Sequence, residues 1–557
     1  LKPIIYQLFP RTFTNANETR KHNGSREENG CGKFEEITPK ALAALSDLGV
    51  THVWYTGVIR HATAERNNPG LTKGQAGSPY AITDYYDVNP DLAVDESKRM
   101  AEFEGLVRRT HKAGLKVIMD FVPNHVSREY KSLCKPRGIR DLGRDDNPDW
   151  AFSPLNNFYY LPGERFEPAF PLNGYEEFPA KVTGNDCFTA HPSENDWYET
   201  VKLNYGVHYL NHMEKQFTPV PSTWEKMLDI LKFWSRKGID AFRVDMAEMV
   251  PVEFFAWAFS RLRTFFPDVK FIGECYNPAL YRSYLNAGFD WLYDKVGMYE
   301  YLRGVTSKSW PAEGITARWQ AVDDIRDRML YFLENHDEQR IASGFFCGSG
   351  RAAEPAMVVA ATLGTNPVMV YAGQELGETG MYAEGYSGMD GRSSIFDYWG
   401  IESLQAWCNR GRFDGKRLSE GQKELRLFYK RLLTLARDSK AVSDGLMYDL
   451  EYAQGEGFDR HEQYAYIRKH EDDIILFVLN FRDRQVDVTV RIPQEAFTYL
   501  GQPELRQAKA VDMLSGKKYK SLPLAADTPV QLSLPAWTAV ALKIEETKTR
   551  RTKKDSR

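Results

Sequence analysis

Cysteine is sparse in this 557-residue sequence. Cys31, Cys134, Cys187, Cys275, Cys347 and Cys408 are scattered along it without a Cys-x-x-Cys pair, which excludes zinc-ribbon spacing and a dense disulfide framework and leaves structural thiols as the default. No apolar run approaches the roughly 20 residues that a membrane-spanning helix needs. Neither sign of charge dominates: 72 Lys and Arg against 76 Asp and Glu give a formal net charge of −4, so nucleic acid and anionic membrane are poor candidates for the main partner. No signal peptide is visible. The chain begins at Leu1 rather than Met, with a strand-like run from Ile4. That start suggests trimming by processing or cloning and favours a periplasmic or secreted setting.

What is present is ample apolar material in a repeating order. Hydrophobic residues make up 42% and aromatic residues 13%, enough for a large core and for two or three domains. Eight short runs read as buried parallel strands, being too short for helices and rich in Val, Ile, Phe and Tyr. They are residues 4–9, 51–56, 115–122, 239–246, 270–275, 289–294, 330–335 and 367–373. Amphipathic helices are expected between them at 38–49, 222–237, 251–266, 279–287, 354–363 and 419–438. The first has Thr38 to cap, Pro39 for the first turn, a Leu42/Leu45/Leu48 stripe and Gly49 to end it. Such alternation predicts a closed (β/α)8 barrel over residues 1–125 and 206–439. Residues 126–205 carry no helical period and are too long for one loop, so they are expected to form a small inserted domain after the third strand. From 440 to 546 strands alternate with turns, which predicts an all-β sandwich domain; 547–557 read as a charged solvated tail.

A β/α barrel collects its active site at the C-terminal ends of the strands, and that rule selects residues. The third strand ends in Asp120 and then Asn124-His125, the fourth in Arg243 and Asp245, the fifth in Glu274, and the seventh in His336-Asp337. Arg243 and Asp245 are two apart on a strand and therefore point the same way. Mutual repulsion among carboxylates converging from strands four, five and seven should raise at least one of their pKa values, as an acid working near neutral pH requires. Glycoside hydrolysis wants such a pair, one carboxylate to attack the anomeric carbon and one acid to protonate the departing oxygen. Arg243 can orient Asp245 and keep it ionised. The rival readings are structural ion pairs at strand ends, or a metal site drawing on His125, His336 and the acids, which lacks any His-Glu-x-x-His spacing.

The segments DFVPNH (120–125), GIDAFRVD (238–245), FIGE (271–274) and ENHD (334–337) resemble, in order and spacing, the four signature regions of the α-amylase family, glycoside hydrolase family 13. The resemblance covers roughly residues 1–440. It implies Asp245 as nucleophile, Glu274 as general acid/base and Asp337 as the third carboxylate, gripping the reacting sugar. It further implies that Asp120, His125, Arg243 and His336 belong to the substrate-binding set, the histidines on sugar hydroxyls and Arg243 on the nucleophile. SPYAITDYYDVNP (78–90) is similar to the family's stretch after the second strand, making Tyr80 the stacking platform, and the insert matches the family's domain B.

Two departures bear on specificity and on metal binding. Where α-amylases often carry Lys-His after the nucleophile, this chain has Glu248-Met249, which puts the contacts to the departing sugars in doubt. In VKLN (201–204), Lys202 stands at the family's acidic position. That weakens the family's structural calcium site, of which Asn124 would be a ligand, since calcium wants several hard oxygen ligands. No cofactor is needed for the chemistry. The expected function is retaining hydrolysis of α-1,4-linked glucans or maltooligosaccharides through a glycosyl-aspartate. The alternatives are a transglycosidase or isomerase using the same intermediate, and a silent carbohydrate-binding relative, which the full acid set disfavours. The sequence sets no oligomeric state.

Overall fold

The computed structural model describes residues 2–545; the expected tail at 547–557 lies outside them. Eight parallel strands close into a barrel: β1 (Ile4–Leu8), β2 (His52–Tyr55), β3 (Lys116–Phe121), β4 (Ala241–Val244), β5 (Lys270–Gly273), β6 (Trp291–Tyr293), β7 (Met329–Phe332) and β8 (Val368–Tyr371), each paired with its neighbours and β8 with β1. The fold class is the one expected from the alternation.

Side-chain parity explains why this barrel carries a site at one end. Ile5, Trp54, Ile118, Ala241, Ile272, Tyr293, Leu330, Phe332 and Met369 fill the interior as one apolar cluster. Their strand neighbours, such as Val53, Val117, Phe242 and Phe271, join the larger cluster under the helices. Because inward residues recur every second position, the next inward residues above Ile118, Ala241 and Ile272 are Asp120, Arg243 and Glu274. Apolar filling gives way to charge at the C-terminal rim.

Most of the helices are amphipathic; the one at Glu354–Thr362, expected to be so, is instead buried at every residue. α1 (Pro39–Asp47) has Thr38 accepting from Ala41 N–H at 3.3 Å and Leu42 and Leu45 inward; Gly49, at φ +104°, makes the turn that follows. A charge-rich helix not foreseen above, α2 (Arg99–Lys112), still buries Phe103, Leu106, Val107 and Thr110 on one face. α3 (Ser222–Arg236) buries Trp224, Met227, Leu231 and Trp234.

After β3 the chain makes short antiparallel pairs, 125–127 with 200–202 and 160–161 with 180–181, around a small core that includes Tyr159, Leu161, Phe166, Val182 and Tyr198. Arg128 pins this insert: its buried guanidinium pairs with Glu177 at 2.7 Å, donates to Tyr198 O at 2.6 Å and lies 3.7 Å from the Phe166 ring centroid. The C-terminal region is a six-stranded antiparallel sheet with a separate two-stranded one. Arg468 ties it to the barrel by donating to Leu363 O at 2.8 Å and holds the start of the C-terminal region through the carbonyls of Ala441, Val442 and Gly445; burial pulls its pKa down to about 9.

Candidate active site

At the barrel's C-terminal mouth one guanidinium organises the acids. Arg243, fully buried, donates from Nη1 to Asp245 Oδ1 at 2.7 Å and to Asp120 Oδ1 at 3.3 Å. Its Nη2 meets Glu274 Oε2 at 2.8 Å, an ion pair rather than an aligned hydrogen bond. Strand register makes this possible, because Arg243 lies level with Asp120 on β3 and Ile272 on β5. The rings of Trp54, Tyr80 and Tyr293 surround the guanidinium with centroids 5.2–5.6 Å away, a cation–π cage that excludes water. Burial opposes the charge on Arg243, but Glu274, Tyr293, Tyr80 and Asp245 raise its pKa further above the ordinary arginine value. Asp245 and Glu274, held by the two terminal nitrogens of one planar group, are kept at close quarters.

Each carboxylate has a distinct setting. Burial is the main cause that raises the Asp245 pKa well above the usual aspartate range; Arg243 opposes it, and the charges of Glu274 and Asp120 add to it. Among the described residues no protein donor reaches Asp245 Oδ2, and Asp245 lines the cavity. Glu274 is bonded on both oxygens, by Met246 N–H at 2.8 Å and by the Tyr276 hydroxyl at 2.6 Å. Met246 adopts φ +42°, a left-handed conformation uncommon for a long side chain, and its amide is the one that meets Glu274. Asp337 stands more open at the rim, its side chain 41% exposed.

The remaining expected site residues divide into two groups. Tyr80 and His125 line the cavity in front of Asp245, together with Glu274 and Asp337. Asp120, Arg243 and His336 lie behind that surface and hold the residues that form it. The Tyr80 ring stacks on His336 with centroids 5.4 Å apart, and its hydroxyl is 2.5 Å from His336 Nε2. Burial pushes Asp120 up to about 6 even though Arg243 and Trp54 pull it down. Burial pushes His125 and His336 down to about 3, which favours the neutral form of both rings near neutral pH. Sequence reasoning missed Gln7, whose Nε2 is 2.8 Å from His336 Nδ1, and Trp54, Tyr293 and Tyr276. The first three could have been found by parity, each being the inward residue at the top of its strand.

The calcium expectation fares differently. Asn124 Oδ1 accepts from Lys202 Nζ at 2.7 Å, and the same ammonium pairs with Asp186 at 2.5 Å, Lys202 being 1% exposed. Asn124 Nδ2 donates to Gly184 O at 2.8 Å. A cation is thus already covalently part of the chain between the oxygens that would bind calcium, and a divalent ion there would meet like charge. The donor set does not fit calcium, and Asn124 is better described as a ligand of Lys202. Another crowded group, Asp84, Asp87 and Cys134, is occupied by Arg60, Arg99 and backbone amides.

Larger hollows exist, about 860 Å3 lined by residues of 427–440, 470–473, Met513 and Lys543, and about 920 Å3 at the barrel's N-terminal face. Asp438, Glu471, Asp472 and Asp473 line the first, and Asp240 and Asp268 the second, but neither opens at the C-terminal ends of the barrel strands, where a β/α barrel places its chemistry.

Comparison with known proteins agrees with the fold. A family model described as the α-amylase catalytic domain matches residues 7–273. Alpha-amylase 3 of Dictyoglomus thermophilum is 24% identical over 469 residues, 79% of this chain and 78% of that one. Neopullulanase 2 of Thermoactinomyces vulgaris is 22% identical over 505 residues, covering 88% and 71%. In fold, a maltogenic α-amylase from Thermotoga neapolitana superposes with a TM-score of 0.63 at 19% identity, over 98% of this chain and 99% of that one. No helix among the described residues is long and apolar enough to cross a membrane. Residues 7–273 match the α-amylase catalytic domain, and the relatives support a glycoside hydrolase of the α-amylase type.

Proposed function

We propose that the enzyme hydrolyses α-1,4-linked glucosides with retention of configuration, Asp245 acting as nucleophile and Glu274 as acid/base. The observation that carries this is the single guanidinium shared by Asp245 and Glu274. It supports the short carboxyl separation of about 5–5.5 Å that double displacement uses, rather than the wider gap that leaves room for an attacking water.

In the first step Asp245 Oδ2 bonds to the anomeric carbon as the glycosidic bond breaks. Glu274 gives its proton to the departing oxygen, and a glycosyl ester of Asp245 remains. In the second step the Glu274 carboxylate takes a proton from water, the water oxygen bonds to the anomeric carbon, and Asp245 leaves as carboxylate. Asp337, more open than either, accepts hydrogen bonds from hydroxyls of the reacting sugar in this reading, which its place on the same cavity as His125 and Tyr80 supports. Calcium takes no part in this account.

The test is the anomer released first from maltooligosaccharides, followed by proton NMR before mutarotation. The proposal expects the α-anomer. First appearance of the β-anomer contradicts the double displacement, and longer oligosaccharides in the same spectra would mark a transferase.

A further inference from the structure

The cavity in front of Asp245 measures about 230 Å3, below the roughly 300–1,000 Å3 of sites that enclose drug-sized ligands. One side of it is a wall knitted from three distant stretches: the loop after β2, the insert, and the loop after β8. Lys73 stands at the join. Its ammonium meets Glu199 Oε2 at 3.1 Å, with side chains 11% and 7% exposed, and lies 4.9 Å from the Tyr198 ring centroid. Both Lys73 and Glu199 line the cavity, as do Trp197, Ile395 and Phe396. Ala76 N–H donates to Phe396 O at 2.8 Å. Gly74, at φ +65°, comes so near that a Cβ would sit 2.4 Å from that oxygen. Asn68 donates to Asn173 O of the insert at 3.2 Å, and Asn23, in the loop after β1, donates its N–H to Glu384 O at 3.0 Å. Opening the wall would strip a buried carboxylate of its counter-ion, which is strongly unfavourable.

Strand order gives the wall a direction. In this eight-membered ring β1 stands opposite β5, and β8 opposite β4. The wall on the β8–β1–β2 side therefore faces Glu274 and Met246 across the mouth. The departing portion of a substrate lies on the side of the group that protonates it, so the wall closes the other side, where a sugar chain would continue toward its non-reducing end. The Glu274 side is less committed. Glu248 is spent on the loop after β5, accepting from the N–H groups of Asn277 at 3.1 Å and Tyr276 at 3.3 Å, and Asn277, Pro278 and Ala279 are exposed.

Building on the glycosidase reading above, we propose that the pocket admits only the non-reducing terminal glucose, so that the enzyme is exo-acting and releases one glucose at a time from short α-glucosides. The test uses the full chain on maltoheptaose and on maltoheptaose whose non-reducing terminal glucose carries an ethylidene acetal. Glucose and maltohexaose should appear first from the free substrate. The blocked one should react at least about a hundredfold more slowly, the order of discrimination a well-fitted pocket reaches. Comparable rates on both, or maltotriose and maltotetraose as first products, overturn the exo assignment and leave the glycosidase reading standing. Inertness toward both, and toward maltose and an aryl α-glucoside as well, overturns the two together.

Discussion

On the β8–β1–β2 side of the mouth, Lys73, Glu199, Trp197 and Phe396 interlock segments more than a hundred residues apart. On the β4–β5 side the corresponding acidic residue, Glu248, is turned into backbone amides, and the loop it anchors stands in solvent. Between the two lies one buried cation with three carboxylates on it. Placing the reacting groups takes a few neighbouring strands. Choosing which sugar reaches them takes contacts brought together by the whole chain, and a wall with its own ion pair can select more strictly than an open rim.

The largest effects should come from the centre, where both sides depend on the same acids. Asp245→Asn should lower kcat/KM on maltose by about 10^4-fold or more with the far-UV spectrum unchanged; a few per cent of residual activity would separate the nucleophile from this geometry. Glu274→Gln should cost about 10^2–10^4-fold on maltose and far less on a dinitrophenyl α-glucoside, whose leaving group needs no proton. Equal losses on both substrates would move the acid elsewhere.

Next come paired changes, one on each side. Phe396→Ala should raise KM for maltose by about tenfold, roughly the 1–3 kcal/mol of a lost apolar contact, with little change in melting temperature. Glu248→Ala should do the reverse, leaving KM near its starting value and lowering stability by about 1–3 kcal/mol, because two backbone donors lose their acceptor. If Glu248→Ala raises KM and leaves the melting temperature unchanged, the open side binds sugar after all and the contrast disappears.

At the root of the insert, Lys202→Met removes the ammonium from Asn124 and Asp186 and should cost about 1–3 kcal/mol. The parent enzyme should melt at the same temperature in EDTA and in excess calcium, and a calcium-dependent rise would return the site to a metal.

The smallest expected effect is on stability with pH. Burial raises Asp120 to about 6, Glu334 and Glu354 to about 7, and Glu384 to about 8. Carboxyls with raised folded-state values contribute stability that is complete below their unfolded values, near 4, and is lost as pH rises through 6–8. The melting temperature should therefore decline from pH 5 to pH 9, and a rise over that interval would show that these groups are ionised without penalty.

Much of this was legible in the sequence, for a physical reason. Each barrel strand is a short apolar run buried beyond its first residue, and the period-two rule that buries Ile118 and Ala241 also aims Asp120 and Arg243 inward, so the fold and the candidate acids follow from local pattern. The helix at 99–112 was not foreseen because its exposed face is crowded with charge and only four residues turn inward. In the C-terminal domain the strands at 446–449, 505–512 and 518–524 carry a weaker apolar signal, since more than half of the residues in each are exposed or only partly buried. Tyr276 on Glu274, Lys73 on Glu199 and Lys202 on Asn124 lie outside such patterns, since each depends on where a loop comes to rest. Lys202 still announced the weakness of the calcium site by its charge alone.

Covalent trapping tests the central claim most directly. Incubation with 5-fluoro-α-glucosyl fluoride, which forms the glycosyl ester readily and hydrolyses it slowly, should add one fluoroglucosyl group per chain, and peptide mapping should find it on Asp245. A label on Asp337 or Glu274, or turnover with no adduct and first release of the β-anomer, would contradict the account.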